Sequence, residues 1–107
     1  KTSAGALYHL PVCKVSSLGD TIRYMRSSGI TTISCTEKAE EAIYSKDLTR
    51  PINLLFGNEG EGIEPHLLRM AEESALIPMY GAVSSLNVAV ATGICLFEIA
   101  RQRHIVV

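Results

Sequence analysis

The side chains best suited to handling a ligand fall in two segments, Asn53-Leu-Leu-Phe-Gly-Asn-Glu-Gly-Glu-Gly-Ile63 and Ile77-Pro-Met-Tyr-Gly-Ala-Val-Ser-Ser-Leu-Asn-Val88. Each is an apolar run that stops at glycines and small polar residues, the pattern of a buried strand delivering a loop to its carboxyl end. In open α/β sheets ligands bind outside that edge. Gly57, Gly60 and Gly62 carry no Cβ, so the first loop can take positive φ and lie close to a ligand. No Lys-Ser or Lys-Thr follows it, and Glu59 and Glu61 would repel a polyphosphate, so it is not a phosphate loop. The glycine spacing also differs from the G-x-G-x-x-G dinucleotide pattern. A neutral or cationic ligand fits better, and an ordinary tight turn after a strand would carry the same residues.

Three polar residues in these segments, Glu59, Ser85 and Asn87, have both a chemical and a structural reading. Ser84 and Ser85 suit the N-cap of the following helix, Asn87 suits a loop-satisfying amide, and Glu59 can hold its own loop by accepting backbone N–H bonds. Pro78 removes an N–H from the end of the second apolar run, as expected of a chain that leaves a sheet and turns.

Four apolar runs must position these loops: Pro11 to Val15, Ile30 to Cys35, Ile52 to Phe56 and Ala75 to Met79. They alternate with helical stretches, which predicts βαβ units and an α/β fold with a parallel sheet and flanking helices. A first helix is expected over Leu18 to Ser28, opened by Ser17 with Asp20 three residues on and closed at Gly29, with Leu18, Ile22 and Met25 on its core face. Glu37 to Tyr44 reads as a short acidic helix capped by Thr36, and Asp47 to Arg50 as a loop ended by Pro51. Pro65 starts a helix reaching Glu73, with Leu67, Leu68 and Ala71 toward the sheet. Residues 1–9 read as the end of a further helix. The last helix, Leu86 to Gln102, is apolar around most of its circumference. A surface helix keeps one wet face, so this one calls for cover on two sides, part from the sheet and part from a second subunit.

Hydrophobic residues make up 47% of the 107 residues and charged ones 20%, the balance of one globular domain. The most apolar stretch, Val88 to Ala100, is interrupted by Thr92 and Glu98 and is too short to span a bilayer. Cys13, Cys35 and Cys95 are far apart in sequence, odd in number and set in apolar runs, so they read as buried reduced thiols in a cytoplasmic setting. His9, His66 and His104 make no metal-ligand spacing with them, and no metal is expected. Proteins that grip RNA phosphates normally carry a basic face, so the formal net charge of −1 counts against RNA binding by this segment alone.

Taken together, the two segments resemble the SpoU/TrmH-type members of the SPOUT superfamily, RNA ribose 2′-O-methyltransferases that use S-adenosylmethionine. Gly57-Asn-Glu-Gly-Glu-Gly-Ile63 is similar to the family's second motif, and Ile77-Pro-Met79 with Ser85-Leu-Asn-Val88 to its third. Ala91-Thr-Gly-Ile-Cys-Leu-Phe-Glu98 with Arg101-Gln-Arg103 resembles the branch that modifies a guanosine ribose in large-subunit ribosomal RNA. The likeness runs from Lys1 to Arg103. It departs at Ala89, where many members have Ser, and the family's first motif, an Asn and an Arg after the first strand, has no match.

The resemblance implies the carboxyl-terminal part of a methyltransferase domain, impaired by itself because that Asn and Arg are missing. It also implies a deep trefoil knot at the carboxyl end, which periodicity does not reveal, and a homodimer formed partly through the last helix. It places S-adenosylmethionine against Gly57, Ile77 and Leu86, with Thr36 and Met79 nearby. Glu59, Ser85 and Asn87 fall in or around the active site, and the implied substrate is RNA, ribosomal or transfer. Two other readings stay open: a nucleotide-binding α/β module of different chemistry, and a non-catalytic dimerisation or RNA-binding module that keeps the fold.

Overall fold

The computed structural model describes residues 17–57, 62–78 and 87–104. Helix α1 (Leu18–Ser27) starts where Ser17 stays extended and its Oγ accepts the Asp20 N–H at 3.2 Å. It stops before Gly29, whose φ of +81° favours a residue without Cβ. Ile22 is its buried residue, and Leu18, expected beside it, is exposed in the first turn.

Strands β1 (Thr31–Cys35), β2 (Ile52–Leu55) and β3 (Glu73–Ala75) form a parallel sheet of order β2-β1-β3. β1 is the central strand, so its alternate side chains are covered on both faces. Ile33 and Cys35 turn toward one cluster, with Ile43, Leu48, Ala75 and Cys95 at its centre and Ile52, Leu54, Phe56, Ile77 and Ile99 packed around it. Against the opposite face lies a smaller cluster of Ile22, Leu55 and Leu67, with Ile63 and Met70 beside it. Thr32 is fully buried, and its Oγ1 accepts from Asn53 Nδ2 at 3.1 Å. Glu72 ties this face together: its carboxylate accepts from the Thr32 N–H at 2.9 Å and from Arg26 Nε at 3.2 Å, and its own N–H donates to the Thr32 carbonyl at 3.1 Å.

These bonds explain where the expected elements move. Helix α2 (Pro65–Met70) ends well before Glu73, because Glu72 is committed to Thr32 and Glu73 has already joined β3 beside Ile33. The third strand accordingly lies earlier than Ala75 to Met79, and Met79 is outside the described residues. Glu37 to Tyr44 is no helix. The Glu41 carbonyl accepts from the Leu76 N–H and the Ile43 N–H donates to the Leu76 carbonyl, which lays this segment along the outer side of Leu76, and only a 3-10 turn (Ile43–Ser45) follows. The strand expected over Pro11 to Val15, the helix end over residues 1–9 and Cys13 lie outside the described residues.

Helix α3 (Val88–Gln102) is fastened at its carboxyl end to residues 46–50. Gln102 Oε1 accepts the Leu48 N–H at 2.8 Å, its Nε2 donates to the Lys46 carbonyl at 3.0 Å, and Arg103 donates to the carbonyls of Leu48 and Arg50. Cys95 is its one fully buried residue, whereas Val90, Ile94, Leu96 and Phe97 are exposed, Phe97 by 76%. No described helix is long and apolar enough to cross a membrane.

Glu98, with a side chain only 14% exposed, accepts from Arg101 at 2.9 and 2.7 Å and from Gln102 at 2.9 Å. Hydrogen bonds from Arg101 first, and from Gln102, push its pKa down to about 2. The folded value lies below the ordinary ~4.3 of an unfolded glutamate, so its stabilising contribution is whole above that pH and fades as the pH falls toward 2. Urea unfolding is therefore expected to show stability dropping across this window, with Glu98→Gln less stable at neutral pH and shallower in its decline. An unchanged slope in that variant would mean that the Glu98 contacts are screened by solvent. Glu73, lowered by its paired bonds from Arg50, and Asp47, lowered by hydrogen bonds from Thr49, add to the slope.

Candidate active site

Three parallel strands share one direction, so their carboxyl ends finish on one edge of the sheet. The register pairs Ser34 with Leu55 and with Ser74. Continued by two residues, it sets Thr36 level with Gly57 on one side and with Leu76 on the other, and Ile77 follows. Thr36, Gly57 and Ile77, expected as cofactor contacts, are thus brought to the same edge. Thr36 is held there by its N–H, which donates to the Ala75 carbonyl at 2.9 Å, and its Oγ1 accepts the Lys38 N–H at 3.2 Å in a short turn. Its hydroxyl therefore closes a turn and caps no helix. The Ile77 side chain packs into the α3-side cluster, which leaves the main chain as the part of this residue facing the edge.

At Gly57 the requirement for glycine is internal. A Cβ there would collide with the backbone of Gly62 and Ile63, so the two ends of the glycine loop cross in direct contact. Gly62 closes the crossing at a φ of +74°. The sequence reading reserved the missing Cβ space for a ligand, and the structure fills it with the loop's own return. Glu59 lies in the part of the loop outside the described residues, as do Ser84, Ser85 and Leu86 in the second segment.

Asn87 is the N-cap of α3. Its Oδ1 accepts from the Ala89 N–H at 2.7 Å and from the Val90 N–H at 3.4 Å, so the helix starts at Val88 and the cap is Asn87 in place of Ser84 or Ser85. Two donors on one atom fix the amide's orientation, with oxygen toward the helix and nitrogen away from it. Gln102 meets residues 46–48, ahead of β2, and Cys95 meets the end of β1, so α3 runs opposite to the strands. Eight residues at a rise of about 1.5 Å carry Asn87 about 12 Å past Cys95, on the carboxyl-edge side of the sheet.

Electrostatically the described part of this edge is quiet. Lys38 is the cation near Thr36, and it lines a groove of about 260 Å³ with Ser34, Ser74, Leu68 and Glu72 on the face opposite α3. This groove shares Thr36 with the edge but includes neither Gly57 nor Ile77. Sequence reasoning missed it, since a hydroxyl every second residue in a strand signals only one polar face. No group of side chains that could hold a metal is present among the described residues.

Loss of the Asn87 cap is expected to cost roughly 0.5–2 kcal/mol in Asn87→Ala, whereas Asn87→Asp, itself a good N-cap, keeps near-native stability by urea unfolding. Gly57→Ala should destabilise more than Gly29→Ala despite the ordinary preference for glycine at positive φ, because only Gly57 meets backbone. Equal losses in these two variants would contradict the crossing of the loop ends.

The sequence profile of the SpoU rRNA Methylase family matches residues 1–97. Over 103 residues the chain is 40% identical to the 23S rRNA (guanosine-2′-O-)-methyltransferase RlmB of Yersinia pestis, which covers 96% of this chain and 42% of that protein. Among solved structures it is similar to the A. aeolicus TrmH/SpoU tRNA modifying enzyme, with a TM-score of 0.78 and 36% identity over 85% of this chain and 47% of the other. It is also similar to the SpoU methyltransferase AviRb from Streptomyces viridochromogenes in complex with the cofactor AdoMet, with a TM-score of 0.81 and 34% identity over 92% of this chain and 41% of that one. The chain thus spans less than half the length of each of these three relatives. With the parallel sheet and the glycine loop at its carboxyl edge, these likenesses establish that the chain belongs to the SpoU rRNA methylase family.

Proposed function

We propose that this chain is the carboxyl-terminal part of a methyltransferase domain that moves a methyl group from S-adenosylmethionine to a ribose 2′-hydroxyl of RNA, ribosomal RNA in the first place. The observation that carries the reading is the gathering of Thr36, Gly57 and Ile77 on one sheet edge, with Asn87 at the head of a helix directed past that edge. The donor set fits the cofactor: main-chain groups and neutral side chains suit an adenosine and a sulfonium, and among the described residues the edge has none of the clustered cations that a polyphosphate requires. When bound, the cofactor supplies an electrophilic methyl group. The chain supplies position, which in well-oriented reactions is worth roughly 7–11 kcal/mol of barrier.

In this reading Gly57, Ile77 and Leu86 hold the adenosine through main-chain groups, with Thr36 and Met79 beside them. Glu59, Ser85 and Asn87 surround the reacting hydroxyl. The Asn87 amide nitrogen, turned away from the helix it caps, is the group that faces the site. The protein works in the cytoplasm, where its RNA is. The carboxyl segment is threaded in the knot that the family likeness implies.

Val90, Ile94 and Phe97 recur at helical spacing along one side of α3 and are exposed. Burying each such side chain contributes roughly 1.5–3 kcal/mol, which favours a homodimer through this helix. Sedimentation at micromolar concentration is expected to show a dimer, with Phe97→Glu a folded monomer, because Phe97 makes no part of either core cluster. A well-folded wild-type monomer would end the dimer claim.

Calorimetry should show S-adenosylmethionine binding to the chain. A hybrid in which this chain replaces the matching residues of the Yersinia pestis relative is expected to methylate ribosomal RNA with labelled cofactor. Asn87→Asp in that hybrid should keep stability and lose transfer. Full transfer by the Asp variant would reduce Asn87 to a cap. A hybrid that folds, dimerises and transfers nothing would favour the binding-module reading.

A further inference from the structure

We propose that Cys35 and Cys95 form a dithiol pair that peroxide closes into a disulfide, clamping α3 to the end of β1. The two residues come from elements far apart in sequence and meet in one cluster. Cys35 lies at the last position of β1, level with Ala75, and turns to the α3 side with Ile33; Cys95 is the fully buried residue at the middle of α3. Both are free thiols, Cys95 buried and Cys35 half-buried, and they are in hydrogen-bonding contact with each other.

That contact shifts both thiols. The Cys35 thiol donates to the Cys95 sulfur, and this bond, with burial, pushes the Cys35 thiol far above its ordinary value. The same bond lowers Cys95, against the opposing effect of burial. Either sulfur can react once ionised, and half-buried Cys35 is the more accessible of the two. The thiolate of one cysteine attacks hydrogen peroxide, forming a sulfenic acid and releasing hydroxide. The sulfur of the other then attacks the sulfenic sulfur, its proton leaves with the departing hydroxyl as water, and the disulfide forms. Two thiols are oxidised by two electrons and one peroxide is reduced to two waters.

The clamp would sit one residue before Thr36, so its consequence falls on the same sheet edge as the candidate site. Its chemistry does not depend on the methyltransferase reading and can fail separately from it.

The test uses the chain with Cys13→Ser, so that only this pair can close within one molecule. After graded treatment with hydrogen peroxide the protein is unfolded, alkylated and digested with trypsin without reductant. The expected product is peptide 27–38 joined to peptide 70–101, about 2 Da lighter than the two reduced peptides together and released by dithiothreitol. The intact oxidised chain should unfold at a higher temperature than the reduced one, a difference that dithiothreitol abolishes. Recovery of both thiols as alkylated residues, of a sulfinic acid on either cysteine without cross-link, or of links only between chains would overturn the proposal. Cys35→Ser and Cys95→Ser supply the second arm: in neither should peroxide raise the unfolding temperature, and a dithiothreitol-sensitive rise that persists in either variant would overturn the proposal.

Discussion

The rest of the structure depends on the pairing of β1 with a parallel strand on each side. A central strand has no free edge, so its residues satisfy their backbone groups through two neighbours at once, and here both neighbours run in its direction. That shared direction brings three chain exits to one side of the sheet. It also explains why the outer side of Leu76 is bonded by Glu41 and Ile43, a device that covers part of the exposed edge of a very short strand.

The two sides of the sheet are built differently. On the α3 side the contact is apolar, from Ile33, Leu48, Ala75 and Cys95, and polar anchoring is confined to the end of the helix, where Gln102 and Arg103 hold residues 46–50. On the α1 and α2 side a fully buried threonine is accommodated because Glu72 and Asn53 supply the hydrogen bonds that water would otherwise make. Glu72 adds the link to Arg26, so one carboxylate joins α1, β1 and the turn into β3. This arrangement keeps the Thr32, Asn53 and Glu72 bonding away from the edge where Thr36, Gly57 and Ile77 lie, the division expected where a scaffold presents a site.

Helix α3 connects these themes. Its Cys95 packs under the end of β1, its carboxyl end is pinned below the sheet, and its capped amino end projects past the carboxyl edge. An exposed stripe of large apolar side chains remains on its outer side, a pattern typical of association surfaces. The same helix therefore supports the core, orients Asn87 and carries an exposed apolar stripe.

Much of this was legible in the residues. β-Branched and apolar runs over 30–35 and 52–56, Ser17 and Gly29 around α1, and Pro65 at the head of α2 are local signals, and each element formed where its signal lies because capping, φ preference and periodicity act over a few residues. The family likeness rests in the same way on short stretches around Gly57 and Asn87. What tertiary structure decided is everything that required a partner distant in sequence. Glu72 and Glu73 left the expected α2 helix because Thr32 and Ile33 claimed their backbones, and Glu41 to Ile43 became an edge contact because Leu76 was free to bond them. Gly57 proved indispensable to its loop's own crossing, and Asn87 took the cap that two serines suit equally well by residue type. Local propensity amounts to tenths of a kcal/mol per residue, and a buried backbone group left without a partner costs more than that, so long-range bonding prevailed wherever the two disagreed.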